Sequence, residues 1–367
     1  MTKSLCFGQI FVSDTVGGRK QLKKSGLKKI LNTVFLLLVF SVTLWSVFRG
    51  ENFRQVLTLV EDANILYILP GIVCVLFFIL GESVVIFYLM HVLGSGVRFS
   101  HCCLYSFIGF FYSSITPSAS GGQPMQVVAM RKDRIPVAVS TVVLAIVTIT
   151  YKLVLVVLGV AIMLIRPPQI FPYLEPVSAI IYLGLGLNIV FVTVLLLLVF
   201  HPDFVRLIAQ SLFHALKRLH VLQNPEKRSE QLERILKQYH GSAAVYREHK
   251  HVILQVFLIT LLQRCLLFCV TWFAYRSFGL SGYSLPAIVG LQAMISVSAD
   301  MLPLPGGMGI SENLFLQIFE TVFGNELVLP GMLISRGISY YSQLLISAVM
   351  TVAAHFILVE EKAHFHK

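Results

Sequence analysis

The chain has 367 residues, of which 56% are hydrophobic and only 13% are charged, whereas typical soluble domains carry about 25% charged residues. The formal net charge of +11 comes from Lys and Arg residues that cluster at the ends of long apolar segments, as the positive-inside rule and contact with anionic lipid require. Nucleic-acid binding is excluded as the reason for this charge, because no segment outside the apolar stretches is long enough to form a basic folded face. The composition therefore predicts an all-α integral membrane protein.

Six apolar segments reach the length of about 20 residues that a helix needs to cross the hydrocarbon core. We predict full transmembrane helices at Ile30–Phe48, Ile65–Leu93, Val137–Ile165, Val177–Phe200, Val252–Phe278 and Leu333–Val359. The first of them follows a polar, basic stretch at residues 1–29, and no small-residue cleavage site comes after it. It is therefore interpreted as a retained span and not as a removed signal peptide.

Two further apolar stretches are too short to span alone, and each runs into a Pro/Gly motif. Leu104–Ile115 precedes Thr-Pro-Ser-Ala-Ser-Gly-Gly-Gln-Pro at 116–124, and Leu285–Val297 precedes Asp-Met-Leu-Pro-Leu-Pro-Gly-Gly-Met-Gly at 300–309. Pro lacks a backbone N–H and Gly costs backbone entropy, so neither favours continuation of a helix. Non-helical backbone is tolerated at membrane depth only where protein or a water-filled cavity satisfies it. We therefore predict two re-entrant hairpins or broken helices.

The distribution of basic residues predicts which side of the membrane each segment faces. Residues 201–250 carry nine Lys or Arg, and the first hairpin has basic residues on both flanks. The flanks of the second hairpin, 279–284 and 324–330, lack Lys and Arg. We therefore predict that residues 1–29, the 201–250 loop and the tail at 360–367 are cytoplasmic, and that the two hairpins enter from opposite faces.

The predicted transmembrane domain, residues 30–359, divides into two halves with the same order of elements. Half one, about 30–165, and half two, about 177–359, each contain a span, a span, a hairpin and a span, in opposite orientations. This order is typical of an inverted-topology repeat, in which interrupted segments mark a substrate site near the midplane. The alternative is that the chain contains two broken helices by chance. Residues 201–250 form a cytoplasmic loop within half two, and their apolar spacing indicates an amphipathic helix at the membrane surface, or a plain connector.

Ionisable residues inside apolar segments are costly and usually face a cavity or a partner. This sequence places six there: Glu82, Lys152, Arg264, Asp300, Glu312 and Arg336. Glu82 and Lys152 fit structural ion pairs as well as they fit a functional role. Arg264 and Arg336 would together form a phosphate site, because a guanidinium binds two oxygens at once. Glu312 follows the second Gly-rich motif, where it either caps the next helix or couples the site to a proton or a headgroup amine.

The sequence offers no sign of hydrolytic or metal chemistry. It contains no G-x-S-x-G, H-E-x-x-H or P-loop motif, and its six cysteines form no CxxC pair. The cysteines are interpreted as small apolar residues, not as a disulfide framework or a zinc site. We therefore predict no catalytic residue, no metal and no cofactor.

The two Pro/Gly motifs carry a family resemblance. Residues 116–124 resemble the TPs-x-x-GGeP signature of the lysylphosphatidylglycerol synthase transmembrane family, flippase-like proteins that include the membrane domain of the bacterial multiple peptide resistance factor. Leu304–Glu312 resembles the second signature, lPGGlGxxE, and Arg336 followed by Tyr340 resembles the family's Arg early in the last span. The resemblance covers about Lys29–Val359.

Two positions depart from the family pattern. Gln123 stands where many members have Glu, and Gln126 where many have Arg, so a role that needs an acid at position 123 is not expected here. The Gly-Gly pairs allow close backbone approach, and a half-helix after each break directs free N–H groups toward it. The motifs and the resemblance give a candidate substrate site of Thr116, Pro117, Ser118, Ser120, Gly121, Gly122, Gln123, Pro124, Arg264, Asp300, Pro305, Gly306, Gly307, Gly309, Glu312, Arg336 and Tyr340.

The resemblance implies movement of a lipid between leaflets. Our leading hypothesis is a plasma-membrane translocase for a phospholipid or lipid-linked anionic headgroup, with aminoacylated phosphatidylglycerol among the candidates. The alternatives are a phosphatidylglycerol lysyltransferase that uses lysyl-tRNA, or its membrane subunit, and a solute transporter. Residues 201–250 are too short to fold as an aminoacyltransferase, so that activity would need a separate partner. The membrane and the lipid are the expected partners, nucleic acid is not, and a homo-oligomer is left open.

Overall fold

The computed structural model describes residues 58, 60–61, 63–116, 119–218, 225–302 and 309–364. Within these ranges the regular structure is helical and no β-strand occurs. In chain order the helices are α1 (Ile65–Val92), α2 (Phe99–Ile115), α3 (Gly122–Lys132), α4 (Val137–Ile165), α5 (Phe171–Leu174), α6 (Ser178–Phe200), α7 (Pro202–Arg218), α8 (Pro225–Glu248), α9 (Lys250–Ser277), α10 (Leu285–Ala299), α11 (Ile310–Phe323), α12 (Val328–Arg336) and α13 (Gln343–His364). A 3₁₀ turn at Glu175–Val177 leads into α6, and a π-helical segment at Gly337–Ser342 joins α12 to α13.

Four helical stretches of the described chain are long and apolar enough to cross a membrane: α1, α4, Phe171–Phe200 and α9. They coincide with four of the six predicted spans, with ends that differ by a few residues. The predicted first span, Ile30–Phe48, lies outside the described residues. The predicted last span, Leu333–Val359, falls on the end of α12, the π-helical segment and α13, so the helix there is not uniformly α-helical. The count of six spans stays a prediction.

Each predicted hairpin consists of two helices that pack against each other, α2 on α3 and α10 on α11. At the tip of the first, Thr116 Oγ1 donates to the Tyr112 carbonyl (2.6 Å) and accepts from the Gly121 N–H (2.9 Å). A Cβ atom on Gly122 would lie 2.0 Å from Ser113 Oγ and 2.8 Å from the Gly109 carbonyl oxygen. Glycine therefore permits α3 to start directly against the end of α2.

Helices α1 and α9, one from each predicted half, run antiparallel in close contact. The Asn64 N–H donates to the Ser277 carbonyl (2.9 Å) at one end, and Gln263 Nε2 donates to the Phe78 carbonyl (2.8 Å) near the middle. At the other end the Tyr88 hydroxyl donates to the side chain of Gln255. Hydrogen bonds therefore join α1 and α9 at both ends and near the middle, and such interhelical hydrogen bonds contribute to helix association in membranes.

The remaining helix contacts have a matching pattern in the two halves. Helix α1 packs on α2 as α9 packs on α10, and α3 packs on α4 as α11 packs on α12. Between the halves, α4 packs on α10 and α13 packs on α2. Exchanging the halves converts each of these contacts into its counterpart. The inverted repeat stays a prediction, and this pairing is what it requires.

The predicted helical loop at 201–250 forms α7 and α8. Helix α8 packs against α4, and the Tyr246 hydroxyl donates to the Leu89 carbonyl of α1 (2.7 Å). Arg206 of α7 pairs with Glu233 of α8 at 3.2 Å. Exposed apolar side chains on α7 include Leu207 and Ile208, as an amphipathic helix at a membrane surface would have.

Gly184 and Gly186 of α6 provide a matched test of the α6–α10 contact. A Cβ atom on Gly184 would lie 2.6 Å from both the Ser298 Cα and the Val297 carbonyl oxygen, whereas one on Gly186 would meet nothing within 4 Å. We expect Gly184→Ala to lower the free energy of unfolding by about 1–3 kcal/mol, the usual cost of overpacking. Gly186→Ala should keep or slightly raise it, because Ala favours helix over Gly. Thermal unfolding of both variants in nanodiscs measures the difference, and equal midpoints would contradict this account of the packing.

Candidate functional site

Two groups of polar side chains lie within the bundle. The first, which we call the central cluster, consists of Glu82, Gln126, Tyr151, Lys152, Arg264 and Asp300. The second, which we call the hairpin cluster, consists of Ser311, Glu312, Arg336 and Tyr340. Both contain residues predicted from the sequence, but their hydrogen-bonding patterns differ.

Arg264 is the most buried charge of the central cluster. It lies in the middle of α9 and is 3% exposed. Its Nη1 donates to the Tyr151 hydroxyl of α4 (2.5 Å), and its Cζ lies 4.0 Å from the centroid of the Tyr151 ring and 5.2 Å from that of Phe268. Two aromatic faces and one hydroxyl therefore hold the guanidinium, a cation–π arrangement that fixes its plane.

The other two nitrogens of this guanidinium are unpaired. Nε and Nη2 of Arg264 are buried, and no residue in the described part of the chain accepts a hydrogen bond from either. These two nitrogens lie on one edge of the guanidinium and carry the parallel N–H groups that bind both oxygens of a phosphate or carboxylate. Leaving charged donors unpaired in an apolar interior costs free energy, so the arrangement fits an anion that comes from outside the chain.

An ion pair joins the two predicted halves at the residue that follows Tyr151. Lys152 of α4 binds the Asp300 carboxylate at the C-terminal end of α10, and its Nζ lies 5.7 Å from the ring centroid of Phe191. Tyr151 and Lys152 are consecutive residues of α4, so the ion pair and the Arg264 guanidinium lie at the same level of that helix. The structural ion pair that the sequence allowed for Lys152 is therefore present, and its partner is a predicted site residue.

Glu82 of α1 has a neutral partner. Its Oε1 accepts from Gln126 Nε2 of α3 (2.7 Å). Gly109 of α2 makes room for this amide, because a Cβ atom there would lie 2.3 Å from Gln126 Nε2. The sequence departure at position 126 thus has a structural consequence: the contact to Glu82 is an amide hydrogen bond and not the ion pair that an Arg would make.

In the hairpin cluster, Arg336 binds an acid of its own chain. Its Nε (2.8 Å) and Nη2 (2.5 Å) both donate to Oε1 of Glu312, and Nη2 also donates to Ser311 Oγ (2.6 Å). Glu312 Oε2 in turn accepts from the Gly309 N–H (2.6 Å), where Gly309 has a φ of +85° that glycine tolerates best. Glu312 therefore caps α11, as one of the two sequence interpretations held, and pairs Arg336 at the same time.

Tyr340 connects this cluster to the first hairpin. Its hydroxyl donates to the Ser114 carbonyl near the end of α2 (2.8 Å), and its ring centroid lies 5.4 Å from Cζ of Arg336. Ser114 precedes the first Pro/Gly motif, which begins at Thr116. The contacts of Arg336 and Tyr340 thus link the start of α11 to the end of α2.

The other predicted site residues belong to neither cluster. Gly121 donates its N–H to Thr116, so this donor completes a turn and is not available to a ligand. Gln123 and Pro124 are exposed, and Gln123 Nε2 is 3.4 Å from Thr148 Oγ1. Ser120 is exposed and Gly122 is buried. The remaining predicted site residues, Pro117, Ser118, Pro305, Gly306 and Gly307, lie outside the described residues.

Sequence reasoning missed Tyr151, which both hydrogen-bonds and stacks on Arg264. A signal existed, because Tyr151 stands next to Lys152, the one charged residue of α4. Within the described ranges, no group of three or more His, Cys, Asp or Glu side chains is arranged to hold a metal ion. The contacts observed at the central cluster are hydrogen bonds, one ion pair and cation–π contacts.

Comparison with known proteins agrees with the resemblance in the motifs. The family model described as the lysylphosphatidylglycerol synthase TM region matches residues 33–347, which is most of the chain. No curated protein matches the sequence. Together with the four long apolar helices, the family match identifies a multi-pass membrane protein.

The pairing in the hairpin cluster predicts a stability effect at Arg336. Arg336→Gln would leave the Glu312 carboxylate, in a residue only 7% exposed, without its counter-charge, and removing one partner of a buried pair typically costs about 3–5 kcal/mol. Glu312→Gln combined with Arg336→Gln should recover much of that loss, because neither charge is then left alone. Thermal unfolding of the two single variants and the double variant measures the coupling. Additive effects would show that the pair contributes nothing as a pair.

Proposed function

We propose that this chain, which belongs to the lysylphosphatidylglycerol synthase TM family, is a membrane lipid translocase. Its substrate would be a phospholipid or a lipid-linked anionic headgroup, with aminoacylated phosphatidylglycerol among the candidates. The observation that carries the proposal is the guanidinium of Arg264, buried in the bundle with two parallel donors that no described residue satisfies. We place the protein in the plasma membrane with both termini in the cytoplasm.

The electrostatics of the bundle favour an anion at Arg264. A cation without a counter-charge is expensive in a medium of low dielectric constant, and membrane proteins retain such residues mainly where they bind or conduct something. Arg336 presents the same two nitrogens, Nε and Nη2, but Glu312 already binds them. Of the two guanidiniums predicted to bind phosphate, Arg264 is therefore the primary candidate, and Arg336 mainly holds the hairpin cluster together.

The arrangement of helices suggests how a lipid would move. Tyr151 and Lys152 belong to α4 of half one, whereas Arg264 and Asp300 belong to α9 and the end of α10 in half two, so the central cluster lies between the halves. A phosphate headgroup bound there would leave its acyl chains in the bilayer. Rocking of one half against the other around a fixed site would then expose the headgroup to each leaflet in turn.

Arg264→Gln tests the proposal. We expect the variant to reduce translocation of a fluorescent phosphatidylglycerol in proteoliposomes to the rate of protein-free liposomes. Arg264→Lys keeps the charge but lacks the paired donors, so its rate should fall about tenfold or more, because one hydrogen bond to a charged group is worth about 1.5–3 kcal/mol. Thermal stability of Arg264→Gln should equal or exceed that of the wild type, since an unpaired buried charge is removed.

Two controls define what would contradict the translocase. Arg276→Gln changes another Arg of α9, whose Nη1 donates to the Leu280 carbonyl (3.0 Å) at the end of the helix, and should keep the wild-type rate per folded molecule. Equal rates for the wild type and Arg264→Gln, both at background, would overturn the proposal. Formation of aminoacylated lipid by the purified chain with lysyl-tRNA and phosphatidylglycerol would favour the transferase in its place.

A further inference from the structure

The ion pair between Lys152 and Asp300 belongs to the central cluster, but the proposed function assigns no role to it. We propose that Lys152 is a second anion-binding residue, and that the Asp300 carboxylate occupies the position that the substrate phosphate takes when it binds. The inference rests on the proposed translocase function. It assigns to Asp300 the role of a resident competitor, which the substrate has to displace.

The first argument is the position of Lys152 relative to Arg264. Lys152 directly follows Tyr151, the residue whose hydroxyl and ring hold the Arg264 guanidinium. Helix α4 also packs against both α9, which carries Arg264, and α10, whose C-cap is Asp300. The two cations therefore lie at the same level of α4, one with an internal counter-ion and one without. An anion bound by Nε and Nη2 of Arg264 would enter the surroundings of the ion pair.

The second argument is access. The side chains of Lys152 and Asp300 are 13% and 19% exposed, whereas Arg264 is 3% exposed and its unpaired nitrogens are buried. The ion pair is therefore the more accessible part of the central cluster, and the Arg264 guanidinium is its more buried part. A headgroup that approaches from the exposed side would meet the ion pair first.

The third argument is charge conservation. A carboxylate and a phosphodiester each bring one negative charge and two acceptor oxygens, so either can form the ion pair with the Lys152 ammonium. Exchange of one for the other avoids leaving the ammonium without a counter-charge in an apolar surrounding, which is unfavourable. The displaced Asp300, at 19% side-chain exposure, is the more accessible member of the pair and is the one that can turn outward.

The exchange also has a mechanical consequence. Lys152 belongs to α4 in half one, and Asp300 belongs to the end of α10 in half two. Displacement of Asp300 by the substrate removes an ionic contact between the halves. Binding would therefore favour the conformation in which the halves move apart, because the ligand interacts better with that state than with the closed one. A purely structural ion pair would have no such link to the substrate.

Lipid binding to Asp300→Asn distinguishes an ion pair that the substrate displaces from a purely structural ion pair. The full chain in detergent is titrated with a fluorescent phosphatidylglycerol. We expect Asp300→Asn to bind it at least about fivefold more tightly than the wild type, the low end of typical coupling between sites, because the competitor is gone. Adding Lys152→Gln to this variant should abolish the gain. Glu233→Gln, which removes the exposed ion pair with Arg206, should leave the affinity unchanged and controls for net charge.

Weaker or equal binding by folded Asp300→Asn, or a gain that persists in the double variant, would overturn the inference. Should Asp300→Asn fail to fold, spin labels on α4 and α10 give a second measurement in a chain whose native cysteines are replaced. Val157 and Leu285 are suitable label positions, being 43% and 40% exposed. Phosphatidylglycerol should change the distance between the labels, while diacylglycerol, which lacks the phosphate, should not. A distance that phosphatidylglycerol leaves unchanged would overturn the inference as well.

The same titration distinguishes failure of the proposed anion site at Arg264 from failure of the role proposed for Asp300. If the wild type and Arg264→Gln bind phosphatidylglycerol equally poorly, the anion site at Arg264 fails, and the role of Lys152 fails with it. If Arg264→Gln loses the binding of the wild type but Asp300→Asn binds as the wild type does, the anion site stands. Only the role of Asp300 as a competitor is then wrong.

Discussion

Lipid offers no water to a buried charge, so each charge that this bundle encloses needs its counter-charge or its hydrogen bonds within the protein. This constraint sorts the ionisable residues. Arg336 and Glu312 satisfy each other, and so do Lys152 and Asp300. Arg264 differs from these four residues, because in the described structure its guanidinium contacts a hydroxyl and two aromatic rings and no carboxylate. The first pair ties the hairpin cluster together and the second ties the halves, and the remaining cation is free to bind something else.

Close helix packing is what brings these charges within reach of one another. Gly184 lets α6 approach the backbone of α10 at Val297 and Ser298, and Asn188 Nδ2 donates to the Val297 carbonyl (3.1 Å) at the same point. Asp300 follows two residues later, so the α6–α10 contact fixes the end of α10 that presents the carboxylate to Lys152. Small residues that allow close approach, with polar side chains as hydrogen-bonding partners, are the usual means of helix association in membranes.

The sequence predicted the helices well and the pairing of charges poorly. Length and hydropathy located α1, α4, α6 and α9 to within a few residues, because these signals are local. Arg264 and Arg336 look alike in sequence, since each is an Arg within an apolar segment. Their difference depends on which residue faces them in three dimensions: Tyr151 from α4 for Arg264, and Glu312 from α11 for Arg336. No periodicity in one helix encodes the residue that a distant helix places opposite.

The charge balance of the central cluster connects Gln126 to the role proposed for Asp300. Gln126 is neutral, so it adds no positive charge beside Glu82. Asp300 already binds Lys152, whereas no described residue accepts from Nε or Nη2 of Arg264. A phosphate bound by both Arg264 and Lys152 would therefore bring a further negative charge to the cluster unless Asp300 leaves it. Glu82 is held by an amide in the interior, while Asp300 is partly exposed and bound to a cation that the phosphate itself can take over. Displacement of Asp300 is thus the step that lets Lys152 join Arg264 in binding the anion.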